Sequence, residues 1–121
     1  MGLLDIENYL IENEAQDLYF IIHEALEKNK LSFLNILLSI SEGEGITSSE
    51  NNGFGLDQDW DFPEDFDHVA FFIGDYESSR LNIKEFIDSI SFIADKYVLQ
   101  HPKDKEKVKK YLSKLFLRYR K

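Results

Sequence analysis

The sequence predicts an α+β fold in which a small antiparallel β-sheet is flanked by about four to five helices. Three observations lead to this prediction. Apolar residues recur at helical spacing towards both ends of the chain, and residues 69–73 form a compact run of strand-forming apolar residues in between. The length of 121 residues, with 43% hydrophobic residues, suits a single domain with one core over residues 1–121.

The helices are predicted from apolar periodicity and from the signals that start and stop them. A short helix is expected over residues 5–12, and a terminal one carries apolar residues from 108 to 119. Between these, the predicted N-caps are Asn13 for the second helix, Ser32 for the third, and Asn82 with Glu85 for the fourth. Gly43 and the His101-Pro102 pair are expected to end the third and fourth helices.

The sheet is predicted around residues 69–73, which should form its central strand and end at Gly74. Residues 75–79 are expected to form a turn, and residues 80–83 alternate in a way that allows a second, antiparallel strand. Part of residues 53–60 is expected to supply a third strand. The polar run from Gly45 to Asn52 is predicted to be a loop.

Charge is strongly polarised along the chain, whose net charge is −9. Residues 42–67 contain nine acids and no Lys or Arg, whereas residues 101–121 contain nine basic side chains and two acids. Phosphate binding needs clustered cations, so we expect no nucleic-acid partner. Two interpretations remain for the charged segments. Both could be solvated surface, with the basic tail partly neutralising the acidic loop, or the loop could hold a basic partner.

The residues proposed to contact a partner lie in the acidic, aromatic stretch from residue 57 to residue 67 and in the turn that follows the central strand. We expect the acids to be exposed, because connecting loops on a rigid scaffold are where recognition usually occurs. Phe62 and Phe66 are expected in the core, and Trp60 is either a partner anchor or a core residue. The predicted partner-binding residues are Asp57, Asp59, Trp60, Asp61, Glu64, Asp65, Asp67, Asp75 and Glu77.

No catalytic or metal-binding pattern accompanies this stretch, so we expect neither enzymatic activity nor a cofactor. The chain has no cysteine, and its three histidines lack the spacing of zinc ligands. The Asp57-x-Asp59-x-Asp61 spacing matches the start of a calcium loop, but Phe62 and His68 replace the glycine and glutamate that such a loop requires. Two alternatives stay open: a metal-dependent hydrolase that uses this aspartate cluster, and an acidic mimic of nucleic acid that binds another basic protein.

The N-terminus lacks the features of a secretory signal, and no apolar run is long enough to span a membrane. We therefore expect a cytoplasmic protein without a membrane partner.

The order of motifs in residues 53–108 resembles the immunity proteins of bacterial contact-dependent growth inhibition (CDI) systems, and more narrowly the group that neutralises ribonuclease toxins. The resemblance rests on GFGLDQDWDFPEDFDHVAFF, LNIKEF, ADKY and HPKDKEKV. It implies a monomer that binds one cognate toxin domain and occludes it. A ribonuclease cleft is basic because it binds phosphates, so an acidic, aromatic surface is a suitable complement to it.

Overall fold

The computed structural model describes residues 3–28, 31–49, 52–74 and 76–119 and confirms the α+β class. Three helices precede the sheet and two follow it. Short 3₁₀ turns at Asp57–Asp59, Pro63–Asp65 and Pro102–Asp104 join some of the elements. The elements are α1 (Leu3–Glu12), α2 (Gln16–Glu27), α3 (Phe33–Ser41), β1 (Ile46–Ser49), β2 (Asn52–Phe54), β3 (His68–Ile73), β4 (Tyr76–Asn82), α4 (Ile83–Gln100) and α5 (Lys105–Arg118).

The four strands form an antiparallel meander in the order β1-β2-β3-β4. Residues 69–73 form an inner strand, as predicted. On one face of the sheet, Phe71 lies between Phe54 of β2 and Ser79 of β4, and Val69 lies opposite Leu81. Side chains alternate between the two faces of a strand, so these apolar residues all point to the same side of the sheet. The helices cover that side and bury them.

The hydrophobic core lies between this face and the helices. Helix α2 packs on β1 and β3, α4 packs on β3 and β4, and α1 contacts both α2 and α4. Phe54 is at the centre, with its ring 5.4 Å from that of Phe71 and 5.5 Å from that of Phe86. Helix α3 packs mainly on α5, which brings the C-terminal helix back to the middle of the chain.

Two of the three predicted N-caps are confirmed. The Ser32 hydroxyl accepts a hydrogen bond from the Asn35 amide at 3.1 Å. Asn82 and Glu85 form a reciprocal capping box, with bonds of 2.7 and 3.0 Å between each side chain and the other residue's amide.

The third predicted N-cap, Asn13, is wrong. Helix α2 begins at Gln16 with Ala15 in the cap position. The Asn13 side-chain amide instead donates to the Tyr9 carbonyl at 2.8 Å, and Glu14 adopts a φ of 59°. Asn13 therefore provides a hydrogen-bond donor to a carbonyl in the last turn of α1, and Glu14, in the left-handed conformation, turns the chain into α2.

Two loop predictions are also wrong. Residues 76–79 of the predicted turn belong to β4, Gly74 before them has a φ of 69°, and Asp75 lies outside the described residues. Ile73 then pairs with Tyr76 at once. Residues 46–49, predicted as loop, form β1, an edge strand that pairs with the short β2.

We predict that Asn82→Ala lowers the free energy of unfolding by about 1 kcal/mol, because it removes the acceptor that caps α4. Urea denaturation followed by circular dichroism measures the change. Asn35→Ala is the matched control, since this exposed asparagine in α3 caps nothing with its side chain in the described structure. Equal stability of the Asn82→Ala variant and the parent would contradict the prediction.

Candidate functional site

The acidic segment, defined here as residues 55–67, connects β2 to β3 and is tied to the rest of the fold at two aspartates. The first tie is Asp59, whose Oδ2 accepts hydrogen bonds from the Gly45 amide at 2.7 Å and from the Leu56 amide at 2.8 Å. One carboxylate oxygen thus joins the segment to the start of β1. Leu56, fully buried beside it, holds the segment in the core.

The second tie is Asp57, and here the prediction of an exposed side chain is wrong. The Asp57 carboxylate accepts from Arg118 Nη2 at 2.7 Å and Nε at 3.2 Å, and from the Tyr119 hydroxyl at 2.5 Å. Its side chain is only 15% exposed. At Arg118, therefore, the basic end of the chain neutralises the acidic segment within the fold, which was one of the two interpretations of the charge pattern.

Electrostatics at Asp57 favour the ionised carboxylate. Burial opposes ionisation, but the hydrogen bonds from Arg118 and Tyr119 outweigh it and lower the pKa of Asp57 to about 2. Burial, together with the bond to the Asp57 carboxylate, raises the pKa of Tyr119 well above its usual value. The hydrogen bond to Asp57 also raises the pKa of Arg118. All three groups are held in the protonation states that the contact requires.

The other predicted acids of the segment are exposed. Asp61, Glu64 and Asp65 make no side-chain hydrogen bond or ion pair with any residue that the structure describes. Asp67 is also exposed and lies 2.7 Å from Nδ1 of His68. The segment therefore divides into two anchoring aspartates and an outward-facing acidic group.

Of the two predicted sites in the following turn, Glu77 lies on strand β4 and accepts a hydrogen bond from Arg80 Nε at 2.7 Å. Asp75 is outside the described residues, so its predicted role is not tested.

The aromatic residues of the segment differ in their environments. Phe66 is buried, as predicted, with 8% exposure. Phe62 is 64% exposed, so its predicted place in the core is wrong. Trp60 is half-buried and makes edge contacts with the rings of Phe66 at 5.3 Å and His68 at 5.2 Å. Trp60 thus packs on the domain and also contributes to its surface.

A concave region of about 570 Å³, here called the sheet hollow, lies on the sheet face away from the core. It brings together three predicted site residues, Asp59, Trp60 and Glu77, although the sequence placed the last of these in a separate turn. Residues that sequence reasoning missed complete the lining. Alternation along β3 could have found three of them, since every second residue of this strand faces away from the core. The missed residues are His68, Ala70 and Phe72 of β3, Gly53, Asn52 and Phe54 of β2, and Gly45, Thr47 and Gly55.

The arrangement gives no support to a metal-dependent hydrolase. Asp57 and Asp59 are engaged by Arg118, Tyr119 and backbone amides. Within the described ranges, no group of three or more histidine, aspartate or glutamate residues is placed to hold a metal ion. Across the same ranges, no helix is long and apolar enough to cross a bilayer.

The fold and the site together define a small α+β domain that presents an anchored acidic segment beside an aromatic-walled hollow. Residues 8–112 match the CDI immunity protein family, and the chain belongs to that family. The predicted family is thus confirmed, and membership indicates that the chain neutralises a toxin as a non-enzymatic inhibitor. No curated protein and no solved structure shows significant similarity to the chain.

The lowered pKa of Asp57 predicts a pH-dependent contribution to stability. A depressed carboxyl pKa stabilises the folded state above the unfolded value of 3.8, and the stabilisation is lost as the pH falls towards about 2. Asp57→Asn should therefore be less stable than the parent by about 1 kcal/mol at pH 7, allowing for partial solvent screening. The difference should shrink below pH 4 and almost vanish at pH 2.

Urea unfolding at pH 7, 4 and 2 tests this expectation. Asp61→Asn is the matched control, because it removes the same charge from an exposed side chain without a partner among the described residues. A constant difference between the Asp57→Asn variant and the parent at all three pH values would show that the carboxylate contact does not contribute.

Proposed function

We propose that the chain neutralises the ribonuclease domain of a CDI toxin by covering its basic active site with the acidic segment and the sheet hollow. The observation that carries the proposal is the outward-facing group of acids, Asp61, Glu64, Asp65 and Asp67, beside the exposed ring of Phe62. A ribonuclease cleft must attract phosphates, so it presents the opposite charge to this group. The aromatic ring supplies the apolar contact that dominates many interfaces.

Anchoring of the segment supports this proposal. Asp57 holds one part of the segment to α5, and Asp59 holds it to the start of β1. The exposed acids therefore project from a backbone that is ordered before the toxin arrives, which lowers the entropic cost of binding. In this proposal the complex contains one copy of each protein and forms in the cytoplasm, where a ribonuclease toxin meets its RNA substrates.

Neutralising three of the outward-facing acids should slow association with the cognate toxin. We expect the variant Asp61→Asn, Glu64→Gln, Asp65→Asn to associate about tenfold more slowly at low salt, because complementary charges accelerate encounter. The difference should diminish at high salt, where exposed charges are screened. Stopped-flow measurements at several ionic strengths provide the test.

The matched control removes three exposed acids from helices α2, α4 and α5, through Glu27→Gln, Asp95→Asn and Glu106→Gln. Its net charge equals that of the test variant, so a general effect of charge would slow both equally. That result would place the contact surface elsewhere on the domain.

Phe62→Ala should weaken toxin binding by about tenfold or more without changing the melting temperature, because the ring is exposed in the free domain and would be buried at the interface. Isothermal titration calorimetry and thermal unfolding measure the two effects. Leu99→Ala removes an apolar side chain at the end of α4 that is also largely exposed, and it serves as the control. Unchanged affinity of the Phe62→Ala variant would exclude this ring from the interface.

A further inference from the structure

We propose that the sheet hollow receives one arginine side chain of the toxin, held between aromatic walls and two carboxylates. This inference rests on the proposed function, because it assigns a specific contact to the same binding surface. It predicts a chemical preference for guanidinium that general attraction between an acidic and a basic protein does not require.

The shape of the hollow comes from small residues where the sheet would otherwise carry larger side chains. Ala70 lies in the middle of β3, and Gly53 lies beside Phe72 on β2. A Cβ atom at position 53 would lie 2.5 Å from the Ile46 carbonyl oxygen, so this position accepts only glycine without a backbone shift. A Cβ atom on Gly55 would lie 3.2 Å from the Asp59 Cβ atom. The two glycines therefore let β1 and Asp59 approach closely, and the short side chain of Ala70 leaves space above β3.

The walls supply aromatic rings and negative charge. The rings of Trp60 and Phe72 both line the hollow, and Phe72, on β3, is 42% exposed. Glu77 lies opposite Phe72 because a bulge in the β3–β4 pairing puts the two residues in register. Asp59 is the second carboxylate of the lining.

Each carboxylate has one oxygen that accepts no hydrogen bond from the part of the chain that the structure describes. The two backbone amides bonded to Asp59 share its Oδ2, and the ion pair of Glu77 with Arg80 uses Oε2. Arg80, opposite Ala70, already pairs with Glu77 at 2.7 Å, so this carboxylate binds a guanidinium within the chain itself, and Asp59 is the lining carboxylate without an ion pair among the described residues.

Charge complementarity selects a cation, and the walls select arginine among cations. An apolar side chain would remove the carboxylates of Asp59 and Glu77 from water without replacing their hydrogen bonds, which is unfavourable. A guanidinium is planar, stacks on aromatic rings and donates in several directions at once. The lysine ammonium is compact and more strongly hydrated, so lysine would stack less well on the rings and donate in fewer fixed directions.

A titration with small probes tests the chemistry of the hollow without the toxin. N-acetyl-arginine amide, N-acetyl-lysine amide and N-acetyl-norleucine amide are added in turn to the isotopically labelled protein. The NMR signals of the Trp60 indole N–H and the Ala70 methyl group report on the site. We expect saturable shifts with the arginine probe at millimolar concentrations, at least about threefold weaker binding of the lysine probe, and no saturable shifts with norleucine. Equal binding of the lysine or the norleucine probe, or no response to arginine, would overturn the proposal.

Two variants separate occupancy of the hollow from general charge. Ala70→Leu fills the space without changing charge, and Glu77→Gln removes one carboxylate while keeping its size. Each should weaken binding of the arginine probe about fivefold or more, whereas the charge-matched control Glu106→Gln, on α5 and outside the hollow, should not. If Ala70→Leu does not fold, as judged by thermal unfolding, Glu77→Gln decides the question. Unchanged probe binding by a folded variant of either kind would contradict the assignment.

A second measurement distinguishes this inference from the proposed function. The parent, the Ala70→Leu and Glu77→Gln variants and the Glu106→Gln control are tested for binding of the cognate toxin domain and for protection of cells that produce it. Failure of the parent to bind would refute the proposed function. Equal binding and protection by the parent and the folded hollow variants would leave that function intact and refute the arginine contact.

Discussion

The contact of Asp57 with Arg118 and Tyr119 is the interaction on which the acidic surface depends. A segment with this density of carboxylates repels itself, so it needs cations or amides to hold it in one conformation. Arg118 and Tyr119 come from the last turn of the described structure and meet Asp57 with three hydrogen bonds. The contact lies next to Phe66, whose ring is 5.7 Å from that of Tyr119, so the polar contact and the core support each other.

The acids of the segment therefore have two different physical roles. Asp57 and Asp59 bind groups of their own chain and give the segment its shape. Asp61, Glu64 and Asp65 are left facing solvent, where their mutual repulsion is relieved when a cation approaches. Substituting the alternate aspartates 57, 59 and 61 together would mix the two roles, because loss of the segment's shape and loss of an exposed charge would follow from the same change.

Much of the fold could be predicted from the sequence, because its signals are local. Helical periodicity located the helices, and the Asn82–Glu85 capping box and the apolar run of β3 needed only neighbouring residues. The environment of Asp57 could not be predicted in this way, since its partners lie 61 and 62 positions further along the chain. Strand β1 was missed because its residues are mostly polar and it is a strand only by pairing with β2. Phe62 was assigned to the core on residue type, but the 3₁₀ turn that follows it directs the chain along the surface.

The distance in sequence between Asp57 and Arg118 has a consequence for the order of events during synthesis. All of the strands and the whole of α4 are made before the cation that neutralises Asp57 exists. Until then the segment has its carboxylates but lacks one of its two anchors, and the final fold requires a long chain closure. A nascent chain would therefore acquire its ordered acidic surface only after residue 119 has been made. If the acidic surface is the toxin contact, as proposed, the time that a cell remains unprotected includes this last step in addition to the time needed to translate the preceding elements.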